Sequence, residues 1–190
     1  MDKYLYTMGA DAMRKTIVLA FCYLVLFQTD LLAENGGEGA VITRYDVTEE
    51  AIINASPELV YHAIIDVYDG KTSWWLPDFS SRLCQGNTSG DVDAVYEVTI
   101  HALRPIKFKT KTVEAKQNEM LRVDYVEGAF VGRGLWKFES VEGKTRVSLR
   151  WRTNPSGWFM RMAAPIYPIA KDHSRVMQAG FSRLKTLLEQ

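Results

Sequence analysis

Residues 146–188 read RVSLRWRTNPSGWFMRMAAPIYPIAKDHSRVMQAGFSRLKTLL, and the spacing of the apolar positions changes inside this one stretch. At its start Val147, Leu149, Trp151 and Thr153 alternate with Arg146, Ser148, Arg150 and Arg152, the two-residue repeat of a strand with one dry face. Beyond Asn154-Pro155-Ser156-Gly157 the repeat turns helical. Ile166, Ile169, Ala170, His173, Met177, Gly180, Phe181, Leu184 and Leu188 fall on one stripe, with Lys171, Arg175, Gln178, Arg183, Lys185 and Glu189 largely on the other side. Pro165 and Pro168 should start or kink this helix, because proline removes a helix donor.

A long helix with one apolar stripe needs an apolar surface to lie against, and the middle of the chain supplies it. Ala94, Tyr96, Val98, Ile100 and Ala102 alternate with polar neighbours, as do Ile106, Phe108, Thr110 and Thr112 with Lys107, Lys109 and Lys111. Leu121, Val123 and Tyr125, then Gly134, Trp136 and Phe138, repeat the pattern. Short polar turns, Gln117-Asn118-Glu119 and Glu142-Gly143-Lys144, separate strands that should pair antiparallel. Upstream, Val47, Ala51 and Ile53 indicate a first strand, although Glu49 interrupts its apolar set. Ser56-Pro57-Glu58 has the chemistry of a helix start, and Leu59, Val60, Ala63, Ile64 and Val67 continue it at helical spacing. A short helical or looped piece carries Trp74-Trp75-Leu76 before Pro77. Strand, helices, a run of strands and a last long helix make an α+β arrangement.

Three segments of this pattern resemble the START-like (SRPBCC) superfamily, within it the polyketide cyclase/dehydrase and lipid-transport group. They are Ile53-Asn54-Ala55-Ser56-Pro57-Glu58-Leu59-Val60-Tyr61, Trp74-Trp75-Leu76-Pro77, and Gly180-Phe181-Ser182-Arg183-Leu184-Lys185-Thr186-Leu187-Leu188-Glu189. The resemblance runs from about Tyr45 to Glu189 and implies a helix-grip fold, a curved antiparallel sheet wrapped around the last helix with a cavity between them. It also implies binding of lipids, sterols, polyketides or other apolar molecules, with a minority of enzymes. Fold likeness alone assigns no activity.

In such a fold the cavity would be lined by the dry-face residues that are not aliphatic: Tyr96, Thr110, Tyr125, Trp136 and Trp151, with Thr112 and Thr153. His173, on the helix stripe, should face them, either as acid, base or ligand-orienting donor or as a core histidine. Trp74 and Trp75 either close the cavity entrance or anchor the short helical piece. Glu127 either reaches the mouth or stays solvated. Gly157-Trp158-Phe159-Met160-Arg161-Met162 either touches a membrane during lipid exchange or packs under the strand ends. The outer-face cations (Lys107, Lys109, Lys111, Arg122, Arg133, Lys137, Arg146, Arg150 and Arg152) either attract anionic headgroups or form a solvated surface.

Other chemistries find little support. No Gly-rich phosphate loop or nucleophile elbow is present. The three histidines, His62, His101 and His173, lack metal-ligand spacing, so neither a metal nor a cofactor is expected. A net charge of zero removes the general case for nucleic acid. The expected partner is a hydrophobic small molecule or lipid, carried rather than transformed, with transient membrane contact. The alternative is a cyclase or dehydratase using His173 with Tyr96 or Tyr125.

Residues 1–33 read as a signal peptide. Arg14-Lys15 precede an apolar run from Ile17 to Phe27, shorter than the roughly 20 residues of a membrane span, and Leu31-Leu32-Ala33 offers a small residue for cleavage. Met13 is an alternative start, and an uncleaved membrane anchor the alternative reading. Residues 34–41 form a flexible spacer and 42–190 the helix-grip domain. Export to the periplasm or medium follows, leaving Cys84 as the single thiol of the mature chain. N-terminal sequencing of protein from its native host should begin near Glu34; full-length protein retained in the cytoplasm would overturn export.

Overall fold

Alternating polarity in the middle of the chain produces one sheet rather than separate hairpins, because every dry face must be covered by the same helix. The structure, a computed structural model, describes residues 43–102 and 104–189, so the expected signal peptide and spacer lie outside the described residues. Strand β1 spans Tyr45–Ile53, helix α1 Pro57–Tyr68, and then follow β2 (Phe79–Gln85), β3 (Val95–Ile100), β4 (Ile106–Lys116), β5 (Met120–Gly128), β6 (Phe130–Val141) and β7 (Lys144–Pro155). A short helix α2 (Gly157–Ala163) precedes the long helix α3 (Ile169–Leu188). All strands join a seven-stranded curved antiparallel sheet in the order β1-β7-β6-β5-β4-β3-β2, so the first strand closes against the last.

Local chemistry sets the joints. Glu142 and Gly143 both take positive φ (51° and 77°), which gives the tight turn between β6 and β7 a twist matching that of its strands. Register shifts at Lys109/Thr110 and Thr112/Glu114 break the β4–β5 ladder, and bulges of this kind bend strands. The Ser56 hydroxyl caps α1 by accepting from the Leu59 N–H at 3.4 Å, and Pro57 occupies the first helical position, as read from the sequence.

Helix α3 buries Ile169, Val176, Met177, Gly180, Phe181 and Leu184 against the sheet's dry face. A particularly close contact occurs at Gly180. The Trp75 ring, 1% exposed, lies so near that a Cβ on Gly180 would overlap it. The same indole donates its Nε1–H to the Val176 carbonyl at 3.1 Å and stacks on Phe79 at 4.5 Å. Polar ties complete the seat. Asp78 accepts from Arg175 at 2.8 Å and Arg183 at 2.7 Å, and these guanidiniums hold its carboxyl below the usual range against the cost of burial. Glu49, the charge that interrupts the apolar set of β1, points inward and accepts from Ser174 at 2.5 Å and Gln178 at 2.6 Å of α3.

Three sequence readings need correction, the first being Ala102, which lies beyond the end of β3 and is exposed. Strand β2 is absent from the periodic pattern, because only Phe79 and Leu83 are large and apolar in its run of serines, arginine and cysteine; as an edge strand it pairs with β3 alone. Ile166 does not belong to the helix stripe. It lies in the turn before α3 and is 89% exposed, while Val176 takes a buried place on the stripe.

Replacing Gly180 with alanine improves helix propensity by about 1 kcal/mol but forces a methyl into a rigid ring. Gly180→Ala should therefore destabilise the protein by about 1–3 kcal/mol in urea unfolding. Equal or greater stability would show that Trp75 does not pack on the helix as described.

Candidate functional site

Between the sheet and the N-terminal half of α3 the core is not filled. A partly open cavity of about 80 Å³ separates them. On α3 its lining begins at Ile169 and ends at Met177, so the Trp75–Gly180 seat marks its inner end. At the other end Ile169, Asp172 and Tyr167 edge the mouth, where the Tyr167 hydroxyl donates to Asp172 and Arg175 holds the same carboxylate at 3.1 Å.

The walls are aromatic because the inward positions of neighbouring strands stack ring against ring. One belt runs from His173 to Trp151 (4.3 Å, 10° between planes), then Phe130 (5.2 Å), Phe108 (5.8 Å) and Tyr125 (5.2 Å). The other links Trp75, Phe79, Tyr68 and Tyr96, with Tyr68 and Tyr96 at 4.9 Å. Such walls give large contact area to an apolar guest and fix its orientation through ring geometry.

Few polar atoms face in, and some lack partners. The buried Tyr96 hydroxyl lies near Thr110 and Thr112 but makes no satisfactory hydrogen bond, and burial pushes its phenol up. Burial likewise raises the Tyr125 phenol. The Thr110 hydroxyl donates to the Tyr96 carbonyl at 3.4 Å, and that of Thr112 to the Ser89 carbonyl at 2.6 Å. His173 has a buried Nδ1 with no partner, and burial pushes its pKa down to about 4, with the Glu49 carboxylate pulling weakly the other way. At neutral pH the ring is therefore an uncharged imidazole stacked on Trp151 and hydrogen-bonded to no carboxylate. No group of His, Cys, Asp and Glu among the described residues is arranged to hold a metal ion.

Of the residues expected at the site, Tyr96, Thr110, Tyr125, Trp151 and His173 come together on the cavity. Trp136 does not reach it. It is fully buried behind the wall, edge-on to Trp75 and Phe181. Trp75 lines the inner end rather than the entrance, and Trp74 stacks on it at 5.1 Å while donating to the Ala63 carbonyl. Both therefore anchor, and neither closes the mouth. Glu127 remains at the surface, paired with Lys109 at 2.8 Å. Phe108, Phe130 and Asp172 also line the cavity; Phe108 is visible in its strand's alternation, but β6 extends beyond the run read from sequence to include Phe130.

Most cations of the outer face are paired with carboxylates, and Lys107, Lys137 and Arg152 are not. Lys111–Asp93 (2.7 Å), Arg122–Glu114 (2.8 Å), Arg133–Asp124 (3.3 Å) and Arg150–Asp46 (2.6 Å) are cross-strand or neighbouring pairs. Exposed pairs of this kind add little stability but cancel the field that would attract an anionic surface. By contrast, the segment from Trp158 to Met162 packs only in part: Met160 lies against the core, while Trp158 is 76% exposed and Met162 69%.

The chain matches the family model described as polyketide cyclase/dehydrase and lipid transport over residues 44–189, and it belongs to that family. Among solved structures it is similar to TTHA0849 from Thermus thermophilus (19% identity, TM-score 0.60, covering 75% of this chain and 95% of that one). It is also similar to protein CV1439 from Chromobacterium violaceum (16%, TM-score 0.55, 76% and 97%) and to Ara h 8.0201 (17%, TM-score 0.55, 75% and 96%). At these identities the likeness concerns the fold alone. No curated relative matches the chain.

Because the folded pKa of His173 lies below its unfolded value of about 6.5, the unfolded chain takes up a proton first as pH falls. The stability from the neutral buried ring is present above pH 6.5 and is lost between there and about pH 4. It should amount to up to about 3 kcal/mol. Denaturant unfolding across this window should show that decline, and His173→Phe should remove it; an identical pH dependence in both proteins would mean that the ring is not buried neutral.

Proposed function

We propose that this member of the polyketide cyclase/dehydrase and lipid-transport family holds a hydrophobic small molecule or lipid in the cavity between sheet and α3, without transforming it. The observation that carries this reading is an aromatic cavity whose inward polar atoms, the Tyr96 hydroxyl and His173 Nδ1, lack protein partners and form no acid–base pair. A buried polar atom without a partner costs about 1–3 kcal/mol, and a guest with a polar end relieves that cost. The family match supports hydrophobic ligands in general terms. Export, read from residues 1–33, would place this binding in the periplasm or the medium.

The rival reading, a cyclase or dehydratase, rests on the same unpartnered His173 acting as base beside Tyr96 or Tyr125. A base with a pKa near 4 and no carboxylate to orient it is poorly matched to proton abstraction at neutral pH.

Native mass spectrometry of the purified protein should show a co-purified apolar molecule. In displacement of a fluorescent fatty-acid probe, His173→Ala should weaken binding by about 0.5–1.5 kcal/mol, the net value of one hydrogen bond. If the co-purified molecule is instead converted to product, and His173→Ala slows conversion roughly 10²–10⁴-fold while binding persists, the enzyme reading replaces this one.

A further inference from the structure

The most exposed apolar surface of the described chain flanks the cavity mouth. Helix α2 has only seven residues and fully buries none of them. Trp158, Phe159 and Met162 project from it, and Ile166 and Tyr167 continue the surface through the turn into α3. The β5–β6 corner adjoins it: Ser156 donates its N–H to the Ala129 carbonyl at 2.8 Å, Phe130 pairs with Pro155, and Val131 beside them is exposed. Tyr167 belongs to this surface and to the cavity lining at once. A monomer in water gains nothing from leaving so many large apolar side chains exposed together.

The charge of this region also differs from the rest of the molecule. From Asn154 to Lys171 the sequence contains no Asp or Glu. Arg161 and Lys171 are exposed and have no ion-pair partner among the described residues, and no carboxylate stands between them in the sequence. Exposed tryptophan and tyrosine with uncompensated cations match the boundary between headgroups and acyl chains of an anionic bilayer. A water-soluble partner would leave unexplained why this patch surrounds the opening of an apolar cavity, whereas a bilayer there lets a guest pass without crossing water.

We propose that α2 and the turn at 164–168 form a docking face that seats the cavity mouth on an anionic lipid bilayer. The proposal rests on the carrier reading for its purpose, but its test does not depend on a bound guest. Trp158 makes the test local. Trp75, Trp136 and Trp151 are buried, Trp74 is half-buried, and residues 1–42 contain no tryptophan. The full chain is titrated with phosphatidylcholine vesicles carrying brominated acyl chains, with and without phosphatidylglycerol, while tryptophan emission is followed. Bromine quenches a ring only on close approach.

The expected result is partial quenching by the anionic vesicles, absent in Trp158→Phe. Arg161→Gln should shift the anionic titration to about fivefold more lipid, the equivalent of ~1 kcal/mol per basic residue near the surface, and should leave any response to phosphatidylcholine alone unchanged. Phe159→Ser with Met162→Ser should raise the lipid requirement by about tenfold or more, since interfacial binding scales with apolar area. Unquenched Trp158 at saturating anionic lipid, or quenching indifferent to Arg161 and to the double variant, overturns the proposal. Recovery of a protein bound to this face in the absence of quenching overturns it in favour of a protein partner. Fatty-acid probe binding without vesicles is measured in parallel, so failure of the docking face and failure of the carrier reading give different results.

Discussion

The structure depends on the absence of a side chain at Gly180. That gap lets the Trp75 indole lie directly on α3, give its N–H to the Val176 carbonyl and stack on Phe79, so that one ring joins the 74–78 segment, the edge of the sheet and the helix. Asp78, three residues later, is held by Arg175 and Arg183 on either side of the same contact. Beyond this seat Phe181 and Leu184 pack into a closed core. On the other side, from Met177 back to Ile169, the same helix faces open space. The cavity is thus bounded at one end by the contact of Trp75 with α3, a contact that the glycine makes possible.

Much of this architecture is legible in the sequence, for a physical reason. Residues whose side chains must alternate between water and core declare themselves, and the dry-face positions read from alternation within β3 to β7 face inward, Ala102 beyond the end of β3 excepted. The exceptions have different causes. Strand β2 is an edge strand with a weakly apolar inner row, so it leaves little periodic signal. Glu49 reads as a defect in β1 and is instead a tie to α3, because the hydroxyl and amide that satisfy it lie far along the chain. Ile166 fits the helical repeat by number, but the prolines around it keep it out of the helix.

The site is less legible than the fold. Alternation places Tyr96, Thr110, Tyr125 and Trp151 on the correct face, but it cannot tell a residue that lines a gap from one that fills the core. Trp136 shows the difference: it shares their pattern and sits behind the wall. For the tryptophan pair the sequence leaves entrance and anchor open, and only the approach to Gly180 decides for anchor. A gap of this kind gives up packing contacts and leaves Tyr96 and His173 with unmet hydrogen-bonding capacity. Both costs fall away when a guest of suitable shape, with a polar group at one end, enters the cavity.

The most direct test of that claim uses the histidines as reporters. The chain has three: His62 on α1, His101 beside β3 and His173 on the cavity wall. With histidine rings isotope-labelled, titration with a long-chain fatty acid or a flat hydroxylated aromatic should shift the ring resonances of His173, held between Trp151 and the guest, and leave those of His62 and His101 in place. If no histidine moves at saturation, or if all three move together, the cavity is not where the guest binds and the account is wrong.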